Sequence, residues 1–125
     1  MSVTHPEAIR NALCNLVVDQ LDEGTPPGKL ELQTAADGVA ATLLFGNPAF
    51  GNAAGGVANA NTIAQDTNAA GGVAAKAVMK NAAGQEKFRC SVSGPGGGGD
   101  IELSTTNINA GQTVTISALS YEASA

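Results

Sequence analysis

The feature that most constrains this sequence is a nearly uncharged stretch from residue 38 to residue 75, in which Asp66 is the only charged residue. Within it the heptapeptide Asn-Ala-Ala-Gly-Gly-Val-Ala occurs twice, at residues 52–58 and 68–74, and a truncated copy follows at residues 81–84. Glycine at this density disfavours a helix, whereas glycine and asparagine both tolerate the positive φ angles of tight turns. The stretch is also too apolar for a solvated tail. We therefore predict short strands and turns that pack against the rest of the chain or against another chain.

The length of 125 residues predicts a single domain, residues 1–125, with a core of small side chains. The chain has no Trp, one Tyr and three Phe, and its hydrophobic residues are largely Ala, Val and Leu. Burial of alanine removes little apolar area from water, so each core residue stabilises less than a Leu or Phe would. A partner that binds only the folded form adds to stability, and we therefore expect self-association.

The net charge of −5 and the isoelectric point of about 4.5 argue against polyanionic partners. No basic patch is present to neutralise phosphates, so we expect no direct nucleic-acid binding. The apolar runs are too short to span a bilayer, and the N-terminus lacks the basic and apolar regions of a secretory signal. We therefore expect no membrane association, and synthesis in a bacterial-type cytosol.

The cysteines and the glycine-rich segment are interpreted structurally. Cys14 and Cys90 are the only cysteines, too few for a disulfide scaffold or a four-cysteine zinc site, and we predict that both are buried free thiols. Residues 94–99 match the pattern GxGxxG. A dinucleotide site needs a helix after that pattern, whereas the residues that follow are strand-like, so we interpret the segment as a flexible loop.

The remaining candidates for chemistry are few. His5 is the only histidine, and it falls in the predicted first helical turn rather than beside a nucleophile or a second ligand. Asp100 and Glu102 share one face of a predicted strand, where solvated side chains are the simpler interpretation than a carboxylate pair. The sequence therefore predicts no catalytic residues, no cofactor and no metal site, and an enzyme is the least expected class.

Residues 4–23 have the pattern of an amphipathic helix. Thr4 and Glu7 have the spacing of a capping box, in which each side chain binds the other's backbone amide. Apolar residues at helical spacing mark the face that we predict to be buried. These residues are Ile9, Leu13, Leu16, Val17 and Leu21. Three acidic residues close the helix: Asp19, Asp22 and Glu23. They form either a solvated end or an acidic patch for a basic partner.

After the helix the apolar residues alternate with a period of two, which is typical of strands. We predict strands at residues 29–34, 39–45, 56–63, 72–80, 86–92, 100–105 and 112–121. Leu30 and Leu32 share one face of the first, and Phe88, Cys90 and Val92 face inward on the fifth. The fold class is therefore mainly β: a β-sandwich or jelly roll of about seven or eight short antiparallel strands over residues 28–121, preceded by an α-helix.

Several segments together resemble a known family. They are residues 41–51 (ATLLFGNPAFG), the turn at residues 66–69 (DTNA), and residues 99–105 (GDIELST) and 108–116 (INAGQTVTI). With the short N-terminal helix they resemble small virion structural proteins of tailed bacteriophages and prophages, in particular capsid decoration (cement) proteins. The resemblance implies a jelly-roll fold, and a dimer or trimer that binds the major capsid protein on the capsid exterior. It also implies synthesis in the host cytoplasm.

For the contact with the capsid we predict a loop that contains Phe45, Pro48 and Phe50, because large apolar residues beside Gly and Pro have few strand neighbours to cover them. Replacing Phe50 with Asp is then expected to abolish capsid binding and leave the fold intact. Two other functions stay open: a phage tail or baseplate component, and a carbohydrate-binding or adhesin β-module. A sugar site normally presents aromatic platforms, and this chain has four aromatic residues in all.

Overall fold

The computed structural model describes residues 3–24, 27–116 and 119–122. One helix, α1 (Glu7–Asp19), continues into a 3-10 turn (Gln20–Asp22) and precedes nine short strands. The strands are β1 (Lys29–Gln33), β2 (Val39–Leu44), β3 (Val57–Asn59), β4 (Gly72–Val73), β5 (Lys76–Lys80), β6 (Glu86–Ser93), β7 (Ile101–Glu102), β8 (Asn107–Ile108) and β9 (Ser120–Glu122). The predicted mainly β class with an N-terminal helix is confirmed.

The strands form one five-stranded sheet, in the order β2-β1-β5-β6-β7, and two small two-stranded sheets, β3-β9 and β4-β8. All strand pairs are antiparallel except β6 and β7, which are parallel. The prediction of antiparallel strands is therefore wrong for that pair. The predicted strand at residues 72–80 divides into β4 and β5, and the predicted strand at 112–121 is reduced to β9 and an isolated bridge at Val114. Residues 117 and 118 of that strand lie outside the described residues.

The inner face of the five-stranded sheet supplies much of the core. Leu30 and Leu32 of β1 lie opposite Met79 and Ala77 of β5, and all four are fully buried. The period-two prediction for Leu30 and Leu32 is thus confirmed, because successive side chains of a strand point to opposite faces. Phe88, Cys90 and Val92 of β6 pack against this core but stay half-buried.

The outer face of the same sheet carries paired charges. Glu31, which is 9% exposed, accepts hydrogen bonds from Lys80 at 2.8 Å and from Gln33 Nε2 at 3.0 Å. Burial by itself raises the pKa of Glu31, but these hydrogen bonds and the charges of Lys80 and Lys29 outweigh burial, so its pKa lies below the ordinary value. At the far end of β5, Lys76 pairs with the exposed Asp37.

Stability is expected to fall on acidification because of Glu31. Its folded-state pKa lies below the ordinary value of 4.5, so the unfolded chain takes up the proton first. The stabilisation is complete well above the ordinary value and is lost as the pH falls through the folded-state pKa. Glu31→Gln is expected to show a shallower loss between about pH 5 and pH 3, measured as urea midpoints across a pH series. Equal pH slopes in the two proteins would contradict this assignment.

The glycine segment at residues 94–99 joins the two parallel strands, β6 and β7, through an unusually short connection. A Cβ atom on Gly97 would lie 2.7 Å from the Cβ of Ser93, so the loop closes only because that position has no side chain. The Ser93 hydroxyl accepts the Gly99 N–H at 3.0 Å, and Glu102 accepts the Gly96 N–H at 3.1 Å. A strand follows the glycines, so the GxGxxG pattern lacks the helix that a dinucleotide site requires.

Candidate interaction surface on the amino-terminal helix

Polar side chains along one side of α1 and its 3-10 turn, beside the residues that face the core, hold the helix against a loop. Four of them accept backbone N–H groups from the loop segment at residues 49–56, and we name these four side chains the acceptor row. Glu7, Asn11, Asn15 and Asp22 accept from Gly55, Gly56, Ala53 and Ala49 at 3.1, 2.7, 2.9 and 2.9 Å. Residues four apart lie on one face of a helix. The row therefore runs along the helix and fixes its rotation against the loop.

The loop that the acceptor row holds contains the first copy of the repeated heptapeptide. Ala54 and Val57 exchange two backbone hydrogen bonds, at 2.9 and 3.1 Å, around a turn whose central glycines have φ angles of 62° and 78°. The Arg10 guanidinium packs over this turn, so a Cβ atom on Gly56 would lie 2.7 Å from Arg10 Cζ. Positive φ also occurs at a glycine of each other copy, which agrees with the prediction that the repeat supplies turn residues.

The apolar side chains of α1 and its 3-10 turn that face the core lie beside the acceptor row. Cys14, Val18 and Leu21 are fully buried against the β-sheets, and the Cys14 thiol donates a hydrogen bond to the Tyr121 carbonyl at 3.2 Å. Burial raises the pKa of the Cys14 thiol above its ordinary value, although a backbone hydrogen bond from Ala58 partly opposes this. The prediction of a buried free thiol is confirmed for Cys14, whereas Cys90 is free but only half-buried.

The capping box predicted at the start of the helix is wrong. The helix begins at Glu7, with Pro6 as its N-cap and no side-chain cap. The Pro6 carbonyl accepts the N–H groups of Ile9 and Arg10, both at 3.0 Å. Glu7 does not reach back to Thr4, because its carboxylate binds the Gly55 N–H instead. A contact made across the fold has replaced the local one.

The prediction that the apolar face of the helix is buried is wrong for three of its five residues. Ile9, Leu13 and Leu16 are 45%, 38% and 61% exposed, and we name these three residues the apolar stripe. Of the five predicted residues, Leu21 is buried and Val17 is half-buried. Helical periodicity shows which residues share a face but not which way that face points. Here Cys14, Val18 and Leu21 face the core, and the acceptor row lies beside them.

The exposed apolar stripe is the strongest candidate for a functional surface in the described chain. Its three side chains recur at i, i+4 and i+7, so they line one side of two helical turns, with the exposed Ala12 between them. Scattered exposed apolar residues are ordinary on a protein surface, whereas an aligned apolar patch beside polar residues marks a site of protein contact. The arrangement can bind an apolar face of another protein.

The aromatic residues of the predicted contact loop are buried rather than exposed. Phe45 and Phe50 are 3% and 4% exposed, and their rings pack with centroids 5.8 Å apart. The premise that these rings lack neighbours is therefore wrong, because both belong to the main core. Asn47 and Pro48, joined by a cis peptide bond, are the exposed residues of the loop. The contact of this loop with a partner stays a prediction, to be made through Asn47 and Pro48.

A cleft of about 550 Å³ opens between strands β5 and β6 of the five-stranded sheet and the C-terminal residues around β9. It is lined by Met79, Phe88, Arg89, Cys90, Asp100, Leu119, Ser120, Tyr121 and Glu122. Burial, and secondly the charge of Asp100, raises the pKa of the Cys90 thiol to about 11, so it is protonated at neutral pH and is a poor nucleophile. Asp100 Oδ2 accepts from both the N–H and the hydroxyl of Ser91, and Arg89 pairs with Glu86 at 2.6 Å. The cleft therefore presents polar groups that already bind one another.

The other candidate catalytic or metal-binding residues lie away from this cleft or already accept hydrogen bonds. His5 lies just before α1 and is half-exposed, and Glu102 binds the N–H of Gly96. In residues 3–24, 27–116 and 119–122 no three His, Cys, Asp or Glu side chains are placed to share a metal ion. Within the same ranges no helix is long and apolar enough to cross a membrane.

We find no family model, curated protein sequence or solved structure that matches this chain.

Proposed function

We propose that the protein is a virion structural protein of a tailed bacteriophage or prophage, a capsid decoration (cement) protein that binds the exterior of the assembled capsid. The observation that carries the proposal is the apolar stripe of α1. Three large apolar side chains are held on the outside of a helix that is fixed on its other side by buried apolar residues and by four polar contacts to the loop. Such a surface supports a protein that works by binding other proteins.

The way in which the β-sheets are joined supports a role as a rigid module. Asp66 N–H and C=O exchange hydrogen bonds with Val114 at 3.0 and 2.7 Å, and its carboxylate binds the Thr42 N–H of β2 at 2.9 Å. This one residue therefore connects the central stretch, the five-stranded sheet and the C-terminal segment. A rigid body loses little conformational entropy on binding, which favours attachment to a preformed shell.

The proposed mechanism is thermodynamic linkage. Copies that bind only the assembled shell, across neighbouring major capsid subunits, stabilise the shell relative to its separated subunits. A copy that contacts two subunits at once gains from the high effective concentration of the second contact. The exposed Asn47 and Pro48 of the predicted contact loop are the proposed point of contact with the major capsid protein. The protein is made in the host cytoplasm and resides on the capsid exterior.

The first test is the copy number of the protein in particles purified from the host that encodes it. Quantitative mass spectrometry, with the major capsid protein as the internal reference, is expected to give a ratio within a few-fold of one. A few copies per particle would replace the proposal with a tail or baseplate component. Absence from particles would overturn it and favour a carbohydrate-binding or adhesin module, with the cleft that contains Phe88 and Tyr121 as the place to look.

A further inference from the structure

The apolar stripe cannot be covered by rotating α1 within its own fold. Turning the helix to bury Ile9, Leu13 and Leu16 would break the four hydrogen bonds of the acceptor row, two of which end on carboxylates. Hydrogen bonds to charged acceptors are among the strongest in proteins, and the loop N–H groups would be left without acceptors. Within the described part of the chain no rotation of α1 covers the stripe, so another surface has to cover it or it stays in water.

The stripe is self-complementary when a second copy of the helix lies antiparallel to it. In that arrangement Ile9 of one copy meets Leu16 of the other, because both lie equally far from the midpoint between residues 12 and 13. Leu13 then rests beside the exposed Ala12 of the other copy, whose short side chain allows the two helices to approach closely. One patch thus supplies both sides of a two-fold interface, as symmetric dimers require.

The charges of the helix favour the same orientation. Asp19 is exposed at the C-terminal end of α1, where the negative end of the helix dipole repels it, whereas Asp22 already accepts the Ala49 N–H and Glu23 pairs with Lys87 at 2.7 Å. In an antiparallel pair, Asp19 lies beside the N-terminal end of the other helix, where free N–H groups and the positive end of the dipole attract a carboxylate. In a parallel pair, the two acidic ends would lie side by side and repel each other.

From the fixed stripe, its two-fold complementarity and the placement of the acids, we propose that the chain forms a dimer through antiparallel packing of α1 against a second copy. The part that this dimer plays on the capsid rests on the proposed function, whereas its formation in solution does not. The proposal also gives Asp19 a favourable neighbour, since it lies beside the N-terminal end of another α1. The three large side chains make a small interface, so the dimer forms at high protein concentration.

The dimer is tested by analytical ultracentrifugation of the full chain from micromolar to near-millimolar concentration. Leu16→Glu is expected to weaken dimerisation by about ten- to a hundred-fold, because it removes the most exposed apolar side chain of the stripe. Leu44→Glu is the matched control: Leu44 is 44% exposed but lies on β2, so this variant is expected to dimerise like the unchanged chain. Circular dichroism melting shows whether both variants are folded.

Disulfide trapping tests the orientation. A mixture of the Ile9→Cys and Leu16→Cys variants is expected to form a cross-linked dimer under mild oxidation, while Leu16→Cys alone is not. The unchanged chain, with its own Cys14 and Cys90, is the control for background. Efficient cross-linking of Leu16→Cys with itself would overturn the antiparallel arrangement.

A chain that stays monomeric at every concentration overturns the dimer. If such a monomer is nevertheless abundant in particles, and Leu16→Glu is absent from them, the stripe binds the major capsid protein instead. A dimer that is missing from particles leaves this inference standing and overturns the proposed function. The two proposals therefore fail in different ways.

Discussion

Replacing Phe50 with alanine is expected to lower the free energy of unfolding by about 3–5 kcal/mol. Phe50 is 4% exposed and its ring packs on that of Phe45, within a core whose other side chains are mainly Leu, Ile, Val and Ala. Neighbouring side chains in a close-packed core relax only partly into the space left by a ring. The cavity then adds to the loss of buried apolar area. Equilibrium unfolding in urea, followed by circular dichroism, measures the change.

The matched control for Phe50 is Asn52→Ala in the same loop, because Asn52 is exposed. Exposed positions without specific contacts change stability by about 0.5 kcal/mol or less. Phe50→Asp, expected from the sequence alone to spare the fold, is now expected to unfold the protein, since a buried carboxylate has no partner there. A Phe50→Ala variant as stable as Asn52→Ala would contradict the packing of this loop.

Replacing Asp66 with alanine is expected to destabilise the protein by about 2–4 kcal/mol. Its carboxylate accepts the Thr42 N–H on one oxygen and the Asn68 N–H on the other, both at 2.9 Å. Hydrogen bonds to an ionised acceptor are stronger than neutral ones, and removing the acceptor leaves the Thr42 N–H of β2 unpaired in a partly buried place. Asp66→Asn keeps one acceptor oxygen, and it is expected to lose about half as much.

Two measurements separate this effect from a general loss of negative charge. Asp19→Ala removes an exposed acid from the C-terminal end of α1 and is expected to leave the urea midpoint unchanged or slightly higher, because the helix dipole repels that acid. Amide hydrogen exchange reports on Thr42 directly: its N–H is expected to exchange faster in Asp66→Ala, because its acceptor has gone. Unchanged protection of Thr42 would show that this hydrogen bond does not hold the edge of β2.

Two of the three strands that the sequence predicts well, β1 and β6, alternate apolar and polar residues, whereas β2 is nearly all apolar. The predicted strands at residues 29–34, 39–45 and 86–92 agree with β1, β2 and β6 to within one residue at each end. Alternation of apolar and polar residues is a local signal, so it can be found in the sequence. By contrast, β3 pairs with β9 between Val57 and Glu122, and a three-residue strand of this kind exists only through its distant partner.

The sequence predicted which residues form the candidate surface but not that they are exposed. Periodicity grouped Ile9, Leu13 and Leu16 correctly on one face but placed that face inward. A contrary signal was present: Glu7, Asn11 and Asn15 recur every four residues on another side of the same helix. Polar residues at that spacing are usually solvated, and what makes them inward-facing here is a loop with free N–H groups at residues 49–56.

The sequence by itself therefore determined the mainly β class, the N-terminal helix and the turns, because each follows from interactions among neighbouring residues: glycine at positive φ, alternation in strands and period 3.6 in the helix. The tertiary structure alone decided which face of α1 points outward and what Asp66 binds. Both depend on backbone N–H groups that lie far away in the chain. Glu7 finds its donor at Gly55, and Asp66 finds one at Thr42. Those partners become neighbours only once the chain has folded, so no local sequence pattern predicts them.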